Sequence, residues 1–401
     1  MAQQAAARPL VYNPYAYEIH EDPYAVYERL RAEAPVYLNE EIGIWALSRH
    51  ADVLAGFKDS VRMSNRLGVS IEPSASIPEA RRTASFLAMD PPRHDQIRAL
   101  VSRAFTPRRV AQLEQRMREL SVGCLDAVAD AGRCDFIADF AGKIPMDVIS
   151  ELIGVPRADR DWLRERADIV LHREQDMLDV PPAGVEASIE MFGYFQQLVA
   201  DHRKSPREDM TAALLEADID GERLGDQEVM GFLFLMVIAG NETTTKMLGN
   251  AMYWLWANPA QRDLIAADPG LIPRWVEETL RYDPSTQALK RTLATDVELH
   301  GVRMNEGDKV MLLIGSANRD EDVFPEADRF DIMRDTTGML SFGHGTHFCL
   351  GASLARLEGR VALEEAWARL PDYEIVTEGI ERVHSVNVRG FAALPVEFSL
   401  P

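Results

Sequence analysis

The ten residues Phe342-Gly343-His344-Gly345-Thr346-His347-Phe348-Cys349-Leu350-Gly351 combine a thiol, two imidazoles and three glycines. Gly343, Gly345 and Gly351 permit backbone angles closed to other residues, so this loop can bend tightly. Cys349 lies just before a predicted helix, Ala352 to Arg369. The free amides and dipole at that helix start stabilise an anion. A thiolate held there can ligate a metal that tolerates soft donors, such as haem iron. Two other readings are open. Cys349 could be a small buried hydrophobe. His344, His347 and Cys349 could hold zinc, although structural zinc favours a fourth ligand and paired cysteines. Cys124 and Cys134, the remaining cysteines, do not supply such a pair.

A second constellation is Ala239-Gly240-Asn241-Glu242-Thr243-Thr244, set in an apolar stretch. Glu and Thr in a core helix need partners. Thr243 can bond back to the carbonyl of residue 239 and open the helix locally, making room for a ligand and ordered water. A polar patch facing solvent or another helix is the plainer alternative. Glu278 and Arg281, three apart, can pair on one helix face. His94 and Arg98, four apart, share another. Arg93, Arg98, Arg103, Arg108 and Arg109 face a single acid, Asp95, over 17 residues. That basic island is a solvated helix face or a docking patch for an acidic partner.

These residues must be held by the elements around them. Asp226 to Asn258 reads as a helix about 50 Å long. It is capped by Asp226, and its first half is apolar almost all round, so it should cross the core. Pro273 to Tyr282 reads as a helix stopped by Asp283-Pro284. Asp22-Pro23 opens a helix through Ala32. Val36 to Leu47 reads as a hairpin turning at Glu40, Glu41 and Gly43. Arg291 to Ile314 is β-rich, with turns at His300-Gly301 and Glu306-Gly307-Asp308. Ser60 to Pro92 reads as a long loop with one short helix, and Gln96 to Glu228 as mainly helical. Asp176 to Gly184 breaks that helical stretch and could form a lid. The predicted fold class is mainly α with small β-sheets, in a single domain spanning 1–401.

Composition narrows the function. Lys and Arg number 43 against 64 Asp and Glu, a net charge of −21, which argues against general nucleic-acid affinity. At 46% hydrophobic residues the chain is not disordered. Three cysteines cannot build a disulfide framework and fit a reducing compartment. No targeting segment is read in Met1 to Leu10, and the longest apolar run, Phe232 to Ala239, is far short of a membrane span. The expectation is a cytoplasmic protein without a membrane anchor.

The loop around Cys349 matches the pattern Phe-Gly-x-Gly-x-His-x-Cys-x-Gly and resembles the haem-binding signature of the cytochrome P-450 family. The other motifs follow in that family's order from His94 to Phe391. The resemblance implies a P-450 fold, with a long central helix over haem b (iron protoporphyrin IX). It implies that Cys349 is the metal ligand, that Phe342 packs beneath the sulfur, and that Gly351, Ala239 and Gly240 adjoin the cofactor. His94, Arg98, Arg291 and His347 become propionate ligands, with Leu289 where some relatives have a further one. Glu242 and Thr243 look like the acid–alcohol pair that delivers protons during dioxygen activation. Glu278, Arg281 and Arg329 resemble a structural triad that orders the cysteine loop. Substrate-facing residues would be Phe86, Leu87, Leu235, Ile238, Ala239, Gln287, Ala288 and Phe391. These are mostly apolar, so the substrate would be a hydrophobic small molecule. The reaction implied is monooxygenation: one atom of dioxygen enters the substrate and the other leaves as water. Electrons would come from NAD(P)H through a ferredoxin reductase and a ferredoxin. The ferredoxin would dock on Arg103, Arg108, Arg109, Arg356 and Arg360. Two rivals are a peroxide-driven hydroxylase, whose relatives lack the acid–alcohol pair, and a non-catalytic haem sensor.

Overall fold

A computed structural model describes residues 9–399 apart from 175, 176, 206 and 220. Residues 1–8 of the stretch read for targeting signals, and Asp176 at the start of the expected lid, lie outside the described residues.

The longest helix is Asp226–Trp256. Gly225 rather than Asp226 occupies its N-cap, because Glu228 Oε2 accepts the Gly225 N–H at 3.0 Å. Residues 229–237 are all buried, as the apolar run requires. Each large apolar side chain so placed contributes about 1.5–3 kcal/mol. This first half packs in one apolar cluster with the helices Lys143–Ile153 and Pro182–Lys204. The second half packs in another with Ile272–Tyr282 and Ala352–Arg369. The predicted helices at both places are therefore present, within a residue or two of their expected ends.

A five-stranded sheet lies to one side, in the order Val36–Asn39, Ile44–Leu47, Lys309–Leu313, Ala288–Leu293, Met63–Ser64. The predicted hairpin supplies the first two strands. Alternation sets its faces. Val310 and Leu312 enter one apolar cluster, while Met311 and Leu313 enter the opposite one with Ala288. Ser60 to Pro92 holds one short α-helix, Pro78–Thr83, and two 3-10 turns. The described part of the helical break is docked on that loop. Ser74 Oγ donates to Asp179 Oδ1 at 2.5 Å, and Arg173 pairs with the buried Glu72 at 2.6 Å.

A buried charge network fixes the segment before the cysteine loop. Arg281 and Glu278 are fully buried and joined by two 2.8 Å hydrogen bonds. Arg281 also donates to the carbonyls of Asn318, Ala327 and Arg329. The expected third member, Arg329, does not enter. Its side chain is 57% exposed and pairs with Glu326 and Asp331, and only its carbonyl is used. Arg334 takes the place instead, 9% exposed, with Nε 3.5 Å from Glu278 Oε1 and Nη2 donating to the carbonyls of Glu326 and Arg329.

Arg334→Met should therefore destabilise the protein by about 2 kcal/mol or more, approaching the 3–5 of a buried pair that loses a partner. Arg329→Met should cost less than about 1 kcal/mol, as for an exposed pair. Urea unfolding of the two variants distinguishes these values, and equal midpoints would contradict the assignment.

Candidate active site

The cysteine loop turns as its glycines allow. Gly345 has φ +70°, and a Cβ there would sit 2.7 Å from the carbonyl oxygen of Phe57. Gly343 has φ +65°. The Cys349 N–H donates to the Phe342 carbonyl at 2.9 Å and closes the loop. The Phe342 ring lies under the Arg356 guanidinium, 4.5 Å from its centroid. The Gly351 N–H reaches the sulfur. Cys349 has exposed surface, yet burial pushes its thiol up, more than Gly351, Arg98 and Arg356 pull it down. The side chain therefore lines a space inside the fold, and a thiolate there needs a further cation. His344 turns away, exposed, with Nδ1 accepting the Gly345 N–H at 2.7 Å. Among the described residues no three His, Cys, Asp or Glu side chains gather as a metal-ion cluster, which leaves the zinc alternative without ligands.

Basic side chains from one helix, one strand and the loop itself converge here. His94 comes from the helix Arg93–Val101, fully buried, with Nδ1 2.8 Å from Asp95 and Nε2 without a partner. His347 lies tilted beside it, ring centroids 4.1 Å apart, with both ring nitrogens buried and, the Met89 backbone nearby aside, without a partner among the described residues. Burial, then His94, Arg291 and Arg98, push its pKa down to about 3. Arg291 comes from the strand Ala288–Leu293, is 2% exposed, and donates only to the Lys290 carbonyl. Burial pulls its pKa down to about 10. Arg98 reaches across to the Phe348 carbonyl at 2.5 Å. Buried donors gathered with so little protein acid suit an anion with several acceptor oxygens.

The central helix forms the opposite wall. Ile238, Ala239 and Thr243 have exposed surface midway along the most buried helix of the fold, so they face an interior space. Leu235 lies one turn before Ala239. The Thr243 hydroxyl donates to the Ala239 carbonyl at 2.9 Å, as its spacing predicts, although the helix runs on without a break. The Thr243 carbonyl in turn accepts from Ser285 Oγ at 2.6 Å. Glu242 points the other way and pairs with Lys246 at 3.3 Å.

Several expected residues are placed elsewhere. Gly240 packs on Ile149, 3.3 Å from where its Cβ would be, and so permits close helix packing. Gln287 bonds to Tyr24 Oη and the Pro284 carbonyl, on the N-terminal side of the sheet. Ala288 is buried in the cluster of Tyr12 and Tyr27. Strand alternation explains Ala288, since it turns Leu289 and Arg291 to the cysteine side instead, whereas Gln287 precedes the strand and is held by its own hydrogen bonds. Phe391 is fully buried behind the central helix, against Gly249 and under Arg382. Phe86 is buried between His94 and Phe232, while Leu87 keeps some exposed surface. Arg356 and Arg360 are neutralised by Glu277 and by Glu114 and Glu364. Arg103, Arg108 and Arg109 are exposed and form no ion pair among the described residues.

Sequence reasoning missed Arg334, Ser285, the buried carboxyl of Glu358 and the carboxyl of Asp168, which is exposed to a cavity behind the central helix. Glu358, on the helix after Cys349, has its pKa raised to about 8 by burial, against a hydrogen bond from Thr244. Asp168 faces Glu242 from the helix Arg160–Leu171. None of these belongs to a motif, although Glu358 and Asp168 stand on faces that helical periodicity could have marked.

Taken together, the loop offers one soft anionic ligand, and the basic cluster offers donors for an anion. One soft ligand beside donors for an anion matches the chemistry of haem, whose iron takes a thiolate and whose two propionates need cations.

Comparison with known proteins gives a consistent result. A family profile for cytochrome P-450 matches residues 271–366. The chain is 54% identical over 388 residues to a Mycobacterium bovis protein named cytochrome P-450 123, covering 96% of each. It is 40% identical over 385 residues to the vitamin D(3) 25-hydroxylase of Pseudonocardia autotrophica, covering 94% of each. Among solved structures, CYP109E1 from Bacillus megaterium in complex with testosterone superposes with a TM-score of 0.89 at 30% identity, over 95% of this chain and 99% of that one. With identity spread over nearly its whole length, this mainly helical chain belongs to the cytochrome P-450 family of haem-iron monooxygenases.

Proposed function

We propose that the chain, acting as one domain over 1–401, binds haem b through Cys349 and uses it to insert one oxygen atom of dioxygen into a hydrophobic small molecule. The observation that carries this reading is the pairing of Cys349, held at a helix start, with His94 and His347, whose ring nitrogens lack partners among the described residues, and with the buried Arg291 guanidinium. When bound, the haem supplies the redox chemistry that activates dioxygen.

The chain's own residues do the rest. The Gly351 N–H and the helix start favour the thiolate form of Cys349. Arg98, Arg291, His94 and His347 bind the propionates and fix the ring's orientation. Ile238, Ala239, Leu235 and Leu87 give the substrate an apolar wall and exclude water from it. Thr243 holds a proton at its hydroxyl, steadied by the Ala239 carbonyl, and Glu242 supplies the next one. The acid–alcohol pair favours a reductively driven reaction over a peroxide-driven one or a sensor. Relatives that act on vitamin D(3) and bind testosterone support a steroid-like substrate.

Electrons come from NAD(P)H through a ferredoxin reductase and a ferredoxin. Arg103 lies on the turn Ser102–Phe105, and Arg108 and Arg109 on the helix Pro107–Ala111, which packs on the helix following Cys349. In a chain of charge −21 this patch steers an acidic donor to the thiolate side. No helix among the described residues is long and apolar enough to cross a membrane, which supports a cytoplasmic location.

Three outcomes test these roles. Arg291→Leu should lower haem occupancy several-fold in purified protein, read as the ratio of haem to protein absorbance, and full occupancy would remove Arg291 from the propionate site. With testosterone as probe, its binding followed by the haem spin-state shift, Thr243→Ala should divert most electrons from NADPH into hydrogen peroxide. Coupling equal to that of the native protein counts against the pair. Arg103→Glu with Arg109→Glu should slow reduction by ferredoxin about tenfold at low salt, the lower end of electrostatic steering, and flatten its salt dependence. A rate unchanged at every salt concentration sinks the docking face.

A further inference from the structure

The central helix has a second polar face, turned away from Cys349. Asn241, Glu242, Thr245 and Lys246 line a cavity of about 1060 Å³ there, together with Arg164 and Asp168. That is room for tens of water molecules at about 30 Å³ each. Its walls hold buried polar atoms without partners: Asn241 Oδ1, Glu242 Oε1, Arg164 Nε and His384 Nδ1. Arg164 Nε can only donate, whereas Asn241 Oδ1 and Glu242 Oε1 can only accept. Water satisfies both kinds at once, so this is a hydrated chamber.

Glu242 stands at the chamber's inner wall, 2% exposed. Its Oε2 lies 3.3 Å from Lys246 Nζ, but no donor among the described residues reaches Oε1. Among the described residues, the carboxyl that meets it is Asp168, which lines the same cavity and is itself exposed to it. Two carboxylates cannot meet in that way unless a proton lies between them.

We propose that Asp168 is the proton-holding partner of Glu242: the two carboxyls share one proton at the wall of the chamber, and Asp168 resupplies Glu242 each time Glu242 gives a proton up. Burial, then the Glu242 carboxylate, raises Asp168. Burial acts on Glu242 too, but Lys246, the Asp168 hydrogen bond and Arg164 together hold it below the usual range. The shared proton therefore rests on Asp168. In the transfer, the O–H bond on Asp168 breaks and one forms on Glu242 Oε1. Glu242 passes that proton toward Thr243, and the Asp168 carboxylate takes a replacement from chamber water. No electrons move. Asp168 touches neither substrate nor haem and is a positioning residue.

The proposal rests on Glu242 and Thr243 as the proton-delivering pair. Infrared difference spectra of the haem-loaded protein in H₂O and D₂O test it. The native protein should show a carboxylic acid C=O stretch that shifts in D₂O and is missing from Asp168→Asn. With testosterone as probe, Asp168→Asn should also lose about tenfold in product per NADPH, short of the ~100-fold of a donor acting directly, with KM unchanged. A C=O band that survives in Asp168→Asn overturns the proposal. If that variant fails to take up haem, Glu242→Gln serves. Without the Glu242 carboxylate beside it, Asp168 should ionise at lower pH, and a band whose titration stays put is equally fatal. Thr243→Ala separates the two ideas. Uncoupling there beside normal coupling in Asp168→Asn removes only the role of Asp168, whereas unchanged coupling in Thr243→Ala removes the pair itself.

Discussion

Charge inside a low-dielectric interior is tolerable only when it is balanced, and this fold is arranged around that balance. On one side of a central space stands a thiol whose burial works against its ionisation. Beside it stand His94 and Arg291, buried, and His347 with buried ring nitrogens, all short of acceptors among the described residues. Each half alone is a liability. Together they describe the shape and charge of what belongs between them, a metal facing the sulfur and an anionic edge facing the bases. The Glu278–Arg281–Arg334 network is the same principle carried out entirely in protein. There the charges balance among themselves and clamp the carbonyls of the segment leading to the cysteine.

That balance explains why the elements lie where they do. The helix Asp226–Trp256 is buried on nearly every side, so its few residues with exposed surface must border internal space. The five-stranded sheet presents alternate residues to two clusters, which sends Arg291 to the cysteine and Lys290 the other way, to the Leu67 carbonyl. Gly345 lets the loop pass under Phe57 without a clash.

The sequence was legible where chemistry and spacing coincide. Cys349 with its glycines, Thr243 four residues after Ala239, and His94 four before Arg98 each carry a local rule that the fold obeys. Legibility failed where the answer depends on which way a side chain turns in three dimensions. Ala288 was read with the right strand and the wrong face, and Gln287, just before that strand, is held by Tyr24 and the Pro284 carbonyl. Phe391, expected to face the substrate, is fully buried behind the central helix. Arg329 and Arg334 are five apart in one irregular segment, and nothing local says which of the two turns inward. Arg356 and Arg360 read as free charges because Glu277 and Glu114, which neutralise them, are distant in the chain. Asp168 was invisible for the same reason.

The two faces of the central helix have an evolutionary consequence. Leu235, Ile238 and Ala239 look toward one space, and Asn241, Glu242 and Lys246 toward another, with a single helix wall between them. Replacements that reshape the first surface leave the second untouched. A lineage can therefore change what it oxidises by altering one side of a helix, while the other side is conserved and the supply of protons does not have to be reinvented.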